Sequence, residues 1–363
     1  MPDALLAAAG RIGDRAGLLI QHNSVTTTAH LDPAVETSGV HFESLDSALR
    51  EHPELVEPYL HTLVPTERSK FTALHGAFRT GGTFVHVPRG VAVEAPIQSL
   101  VYLDADGTAV FPHTVIVVEE DAELTFIDRY VSPDLGRALS SAIVEIHAAR
   151  GSRVRYVSLQ DWGSGMTHLG IQRAVVGQEA SLHTLAVAFG ADLARAEAES
   201  VLAEPGAYSD MLGLYFATGS QHYDHRSLQD HVAPHGTSEL LYKGALKAAS
   251  RAIYSGWVTV RPDAQKTNAF QTNRNIVLSD RAKADSIPNL EIEANDVRCG
   301  HAASTGPVDE ETLFYLQTRG IPREEAEQLI VTGFFQEVID RVKLPEVAAG
   351  LTEAVQLELA RED

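Results

Sequence analysis

Cysteine is almost missing from this chain. The single thiol, Cys299, excludes an internal disulfide framework and any multi-cysteine metal site built from the chain alone, and points to a reducing compartment. Basic charge is also scarce. With 29 Lys and Arg against 49 Asp and Glu, a formal charge of -20 disfavours phosphate backbones and anionic membranes, so neither nucleic acid nor a membrane is an expected partner. No apolar run approaches the roughly 18 to 20 residues that span a bilayer. The apolar stretch within residues 1 to 20 has Asp3 where a signal peptide has basic charge, and reads as a weak helix of a cytoplasmic protein. Nucleotide chemistry lacks its signatures too: there is no GxxxxGK[ST], and no GxGxxG follows a strand and opens a helix. No serine sits in a GxSxG setting, and no carboxylate pair is singled out.

What is present is a repeat. A turn-like polar residue or Gly, then Ala, Ser or Thr, then a strand-like run recurs as Asp121-Ala122, Gly151-Ser152, Glu179-Ala180, Gly206-Ala207, Gly236-Thr237 and Asp263-Ala264. The second residues lie 30, 28, 27, 30 and 27 apart, a period in the range of solenoids. The runs that follow, such as Leu124-Thr-Phe-Ile and Val154-Arg-Tyr-Val, carry strand chemistry. Stacked β-coils are therefore expected, forming a mainly β chain of the β-helix type.

Three regions follow. Residues 1–75 mix irregular text with short helices, where Leu45, Ala48 and Leu49, then Leu55, Val56, Tyr59, Leu60 and Leu63 fall at helical spacing between Pro53, Pro58 and Pro65. Residues 76–305 form the strand-rich core. Residues 306–363 form a helical domain expected to cap the end of the stack against edge pairing. There Asp309 is an N-cap, Gly320 a C′ residue, and Pro322 and Pro345 open two further helices. The second of the three helices has an apolar stripe of Ala326, Leu329, Ile330, Gly333, Phe334 and Val338; the third has Val347, Leu351 and Val355. Phe314 and Tyr315, neighbours on the first, cannot both face one core, so either one is exposed for a partner or the two make different packing contacts within the chain.

Sixteen histidines invite a metal reading that strand geometry filters. His222 and His225 point to opposite faces of one strand, while His231 and His235 share a face about 13 Å apart. Neither pair holds an ion within a strand, and these histidines are read as exposed or locally hydrogen-bonded. Cys299 and His301 differ: two apart on a strand, they face one way and could converge on iron or zinc, with further ligands from elsewhere. The alternative at this point is a buried thiol beside a structural histidine.

The segment Pro288-Asn-Leu-Glu-Ile-Glu-Ala-Asn-Asp-Val-Arg-Cys-Gly-His-Ala-Ala-Ser-Thr-Gly306, followed by Leu313-Phe-Tyr-Leu-Gln-Thr-Arg-Gly-Ile321, resembles the SufB/SufD family of iron-sulfur cluster assembly proteins. Phe71-Thr-Ala-Leu-His-Gly-Ala, Val87-Pro-Arg-Gly-Val, Tyr242-Lys-Gly and Gln271-Thr-Asn-Arg-Asn extend the likeness over residues 70 to 342. The resemblance implies a right-handed parallel β-helix between helical parts. It is closest in kind to SufD-type chains: the longer SufB-type chains place a sulfur-accepting cysteine where this one has Asn273. By the same resemblance, Cys299 and His301 hold iron or a nascent cluster at the joint with a SufB-like subunit, although Ala302 stands where Gly is usual. Phe314, Tyr315 and Arg319 fall on the surface that docks a SufC-like ATPase, which would hydrolyse the ATP. Reduced flavin belongs to the assembled complex in such systems, with no site for it in this sequence. The resulting expectation is a non-enzymatic scaffold. The rival readings are a carbohydrate-active β-helix lyase or hydrolase, and a homodimeric scaffold with no SufB-like partner.

Overall fold

The computed structural model describes residues 14–361. The apolar stretch read as a weak N-terminal helix lies outside these residues, and the first described element is the strand Gly17–His22.

Among the described residues the strands build two ten-stranded sheets, which the chain visits alternately, once each per coil, from His113–Val118 onward. Pairing is parallel from coil to coil, so the architecture is a parallel β-solenoid. Alternation within each strand sends one face into the lumen. In Arg251–Val260, Ala252, Tyr254, Gly256, Val258 and Val260 are buried, whereas Trp257 points outward and is 45% exposed. Adjacent coils then stack like upon like: Phe126 lies over Tyr156 with ring planes 5° apart.

The recurring sequence signal is a corner. Asp121, Gly151, Glu179 and Gly206 have φ of 57°, 67°, 54° and 75°, and each is followed by a buried small residue, Ala122, Ser152, Ala180 or Ala207. The left-handed residue turns the chain, and the small one fits inside the bend. A backbone ladder joins equivalent corners, from Arg153 N–H to Ala122 O and Ser181 N–H to Ser152 O, each at 2.9 Å. In the last two coils the corners are His235-Gly236 and Lys266-Thr267, with φ of 62° at both His235 and Lys266. Thr237 and Ala264 are therefore out of register with the earlier landmarks. The reason is that ordinary side chains there adopt the conformation that Gly and Asp advertise elsewhere.

The N-terminal stretch contains more strand than its sequence suggests. Gly17–His22 and Val25–Leu31 form an antiparallel hairpin that ends the first sheet, and His41–Ser44 pairs antiparallel with Gly82–Val87 to end the second. Helices α1 (Pro33–Thr37), α2 (Leu45–Glu51), α3 (Pro53–Val56) and α4 (Lys70–Phe78) accompany these strands. Leu45, Ala48 and Val56 bury against Phe84, Val115 and Val117 on the outer face of the second sheet.

At the other terminus are α5 (Glu310–Thr318), α6 (Arg323–Ile339) and α7 (Pro345–Ala360). The expected signals hold: Asp309 accepts from Thr312 N–H at 3.1 Å, Gly320 has φ 87°, and Pro322 and Pro345 stand at the helix starts. Two expectations do not. The buried stripe of α6 is Ala326, Val331, Phe335, Val338 and Ile339, rotated from the predicted one, so that Leu329 is 50% exposed. These helices also do not cap the stack. With Val347, Leu351 and Val355 of α7, the α6 stripe lies along the outer face of the first sheet, against Ile127, Val157, Leu185, Leu212, Leu214 and Leu241. That sheet has apolar residues on both faces, so it needs a cover on its outside more than at its end. Lys243 and Arg341 anchor the cover: Lys243 Nζ donates to Phe334 O at 2.7 Å, and Arg341 bridges Asp210 and Glu239 at 2.7 and 2.8 Å.

Candidate functional site

Among the described residues no strand covers the far end of the solenoid. Lys283–Ile292 and Arg298–Gly306 are the last strands of their sheets, each with a strand neighbour on one side only. Pro288, which removes a backbone donor, is tolerated within such a terminal strand. Most of Arg298–Gly306 is exposed, and Ile287 and Ile292 are 51% and 41% exposed. Unpaired strand edges carrying apolar side chains are templates for another chain.

Cys299 and His301 lie on that terminal strand, opposite Ala269 and Gln271 of Asn268–Val277. Both of those partners are buried and face the lumen, so Cys299 and His301 share the inward face, as their spacing predicts. Because no later coil covers them, they stay accessible: Cys299 is half-buried beside Val260, Ala269 and Leu290, and His301 is exposed. Burial pushes the Cys299 thiol up from its ordinary value, so an ion bound there would have to displace its proton. The clusters of three potential metal donors among the described residues lie elsewhere. This end therefore offers two donors, and a closed coordination shell needs others.

Gln271, one coil inward from His301, is 1% exposed and has both amide atoms unpartnered. Asn273 is fully buried, donates to Tyr242 O at 3.2 Å and accepts from Asn275 Nδ2 at 2.9 Å. It is a packed structural amide with no thiol chemistry. Of the histidines read as exposed or locally hydrogen-bonded, His225 departs from expectation: it is buried in the lumen, its ring 4.6 Å from that of Tyr215, with Nε2 unpartnered. His231 is also buried and bonds Ser238 Oγ at 2.7 Å. Inward parity put them there, and His235 is a corner residue outside the strand.

Helix α5 buries only Leu313. Phe314 and Tyr315 are 67% and 55% exposed, so both face solvent and neither packs against a core within the chain. Arg319 lies over the Tyr315 ring at 5.1 Å and donates to its hydroxyl at 3.2 Å, forming one exposed aromatic and cationic patch with it.

Two clusters escaped the sequence reading because distant segments assemble them. In one, the buried Glu145 carboxylate accepts from His61, Leu63 and Val64 N–H at 2.7, 2.6 and 2.9 Å and pairs with His113 Nε2 at 2.8 Å. His75 extends this chain to Ser141 O. In the other, His41 and Glu43 of His41–Ser44 meet His52, between α2 and α3. The alternation His41-x-Glu43 on an edge strand was its one legible trace.

A surface groove of about 510 Å³ runs beside Tyr59, His147 and Arg150. Glu119, Glu120 and Glu204 also line it and oppose a phosphate group, so it does not fit a flavin nucleotide, and no step is derived through one.

Comparison with known proteins agrees with this architecture. The family model for the SUF system FeS cluster assembly SufBD core domain matches residues 101–334, and that for the SufBD protein N-terminal region matches residues 16–99. An iron-sulfur cluster assembly SufBD family protein of Mycobacterium tuberculosis is 36% identical over 304 residues, covering 82% of this chain and 75% of the relative. Iron-sulfur cluster assembly protein SufD of Bacillus subtilis is 30% identical over 342 residues, 93% of this chain and 78% of the relative. SufB of the same organism is 28% identical over 345 residues, 95% of this chain and 74% of the relative.

Proposed function

Since the chain belongs to the SufBD family of iron-sulfur cluster assembly proteins, we propose that it is a SufD-type scaffold that catalyses no reaction itself and joins a SufB-like subunit through the open end of its solenoid. Identity alone barely separates the two types, at 30% to SufD and 28% to SufB. The buried Asn273 and the single cysteine favour SufD. The observation that carries the reading is the terminal strand, whose inward Cys299 and His301 lie at an uncovered edge. A second β-solenoid adding strands there would bury the edge and supply the missing ligands, making the nascent cluster a shared cargo. The α5 patch of Phe314, Tyr315 and Arg319 serves a SufC-like ATPase, whose movement would reshape the joint through the α6 and α7 cover. This work belongs in the cytoplasm; among the described residues no helix is long and apolar enough to cross a membrane.

The carbohydrate-active reading is not favoured. Outer-face carboxylates that might have served a sugar are engaged: Glu199 with Arg68 and Arg173, Glu197 and Asp224 with Arg195. Reconstitution tests the proposal. The chain is expected to co-purify with SufB-like and SufC-like partners from its host, and His301→Ala to form the same complex while assembling at least tenfold less cluster. Unchanged assembly by that variant would refute the site, and purification as a homodimer without those partners would refute the pairing.

A further inference from the structure

We propose that His41, Glu43 and His52 form a binding site for a divalent transition-metal ion of the zinc or ferrous class, independent of the open end. Each offers one ligand atom, and the three atoms lie within 4.8 Å of one another. His52 Nε2 is 4.0 Å from Glu43 Oε1. A four-coordinate ion at 2.0–2.1 Å from its donors holds them about 3.3 Å apart, so side-chain movements of about 1.5 Å or less would close the shell. All three are half-buried, with enough exposure to admit an ion and enough cover to limit their freedom.

The fold places them without strain. His41 and Glu43 share the outward face of an edge strand whose intervening Phe42 is buried in the core. The strand runs directly into α2, and His52 caps the end of that helix and the start of α3. Strand and helices are pinned by Leu45, Ala48 and Val56, so three donors converge from one short, well-packed segment.

A second observation points to a ligand. His86 stands directly opposite His41 in the antiparallel pair, with ring centroids 6.1 Å apart. It is 8% exposed, its Nε2 is held by Glu119 at 2.9 Å, and its Nδ1 is buried without a partner. A carboxylate orienting one ring nitrogen while the other is left bare is the arrangement found behind metal-bound imidazole. Glu54 also lies near His52, 3.9 Å from its Nδ1 and beyond hydrogen-bond distance. Two imidazoles and a carboxylate suit zinc or ferrous iron better than calcium or magnesium, which favour oxygen.

The Glu145 cluster shows what a purely structural version looks like. Its carboxylate receives four hydrogen bonds and has no lone pair to give. At His41, Glu43 and His52 the short hydrogen bonds that would fill the same role are missing: His52 Nε2 approaches Glu43 Oε1 only to 4.0 Å, and the His41 and His52 ring centroids lie 4.9 Å apart.

The test uses the full chain, stripped with chelator, with zinc in equilibrium dialysis and cobalt(II) as the spectroscopic probe. The expected result is one saturable site whose cobalt spectrum shows ligand-field bands and no thiolate charge-transfer band, because Cys299 takes no part. His52→Ala and Glu43→Gln should each weaken cobalt binding by roughly tenfold or more, while Cys299→Ala and His301→Ala leave it unchanged. Zinc should raise the melting temperature of the wild type but not of His52→Ala, whose metal-free melting should match the wild type, showing that it folds. No saturable binding by the wild type, unaltered binding by His52→Ala, or loss of binding in Cys299→Ala would each overturn the proposal.

Discussion

Where the chain enters the solenoid, the hairpin Gly17–His22 and Val25–Leu31 closes one sheet, His41–Ser44 turns antiparallel to close the other, and helices cover the flank. Where the chain leaves it, Lys283–Ile292 and Arg298–Gly306 end with nothing comparable across them among the described residues, because the terminal helices run along the side of the stack. Buried polar contacts hold the N-terminal segment along the flank of the second sheet: Glu145 gathers three backbone N–H groups and His113, and Arg68 ties the chain before α4 to Glu197 and Glu199. The other end exposes Ile287, Ile292 and His301. A chain that can close an edge, and does so at one end, leaves its opposite edge available for pairing.

The largest effect should come from loosening the N-terminal segment that covers the closed end's flank. Glu145→Gln places an amide NH₂ among N–H donors and breaks a buried pair, and is expected to cost about 3 kcal/mol or more in urea denaturation. His301→Ala at the other end should stay within about 0.5 kcal/mol. Equal costs would erase the distinction.

The coils between the ends give the next expectation. Burial holds His225 at about 4, below the ordinary histidine value of 6.5, so its stabilising contribution is present above about pH 6.5 and lost as pH falls toward 4. The difference amounts to roughly 3 kcal/mol. Denaturation midpoints for His225→Gln between pH 7 and pH 4 should fall less steeply than those of the wild type. Identical slopes would mean that the imidazole is hydrated in the folded state.

A smaller effect concerns association. Ile287→Lys at the open edge should leave the isolated chain within about 0.5 kcal/mol of its normal stability. It should weaken binding to the SufB-like partner about tenfold, or about 1.4 kcal/mol, in calorimetry. A loss of chain stability without a loss of binding would sharpen the comparison the other way, making Ile287 part of the solenoid's own packing.

How much of this was legible follows from which interactions are local. The corners at Asp121-Ala122 and Gly151-Ser152 were readable because Asp and Gly favour the left-handed turn, and they became unreadable where His235 and Lys266 adopt it under the pull of the stacked ladder. Cys299 and His301 were readable as a pair because strand parity is a local rule. The outer cover was not: α6 presents Val331 and Phe335 in place of Leu329, a choice made by the first sheet's outer face. The histidine clusters were least legible, since His41 meets His52 and His86 only after the edge strand has paired and the helices have packed.

The central claim, that the open end is the joint of the assembly, is tested most directly by alkylating Cys299, the chain's one cysteine, and following its labelled peptide by mass spectrometry with and without the SufB-like partner. The account predicts slow but complete labelling of the half-buried thiol in the free chain, and labelling at least tenfold slower in the complex. Labelling at the same rate in a complex shown to be intact would contradict it.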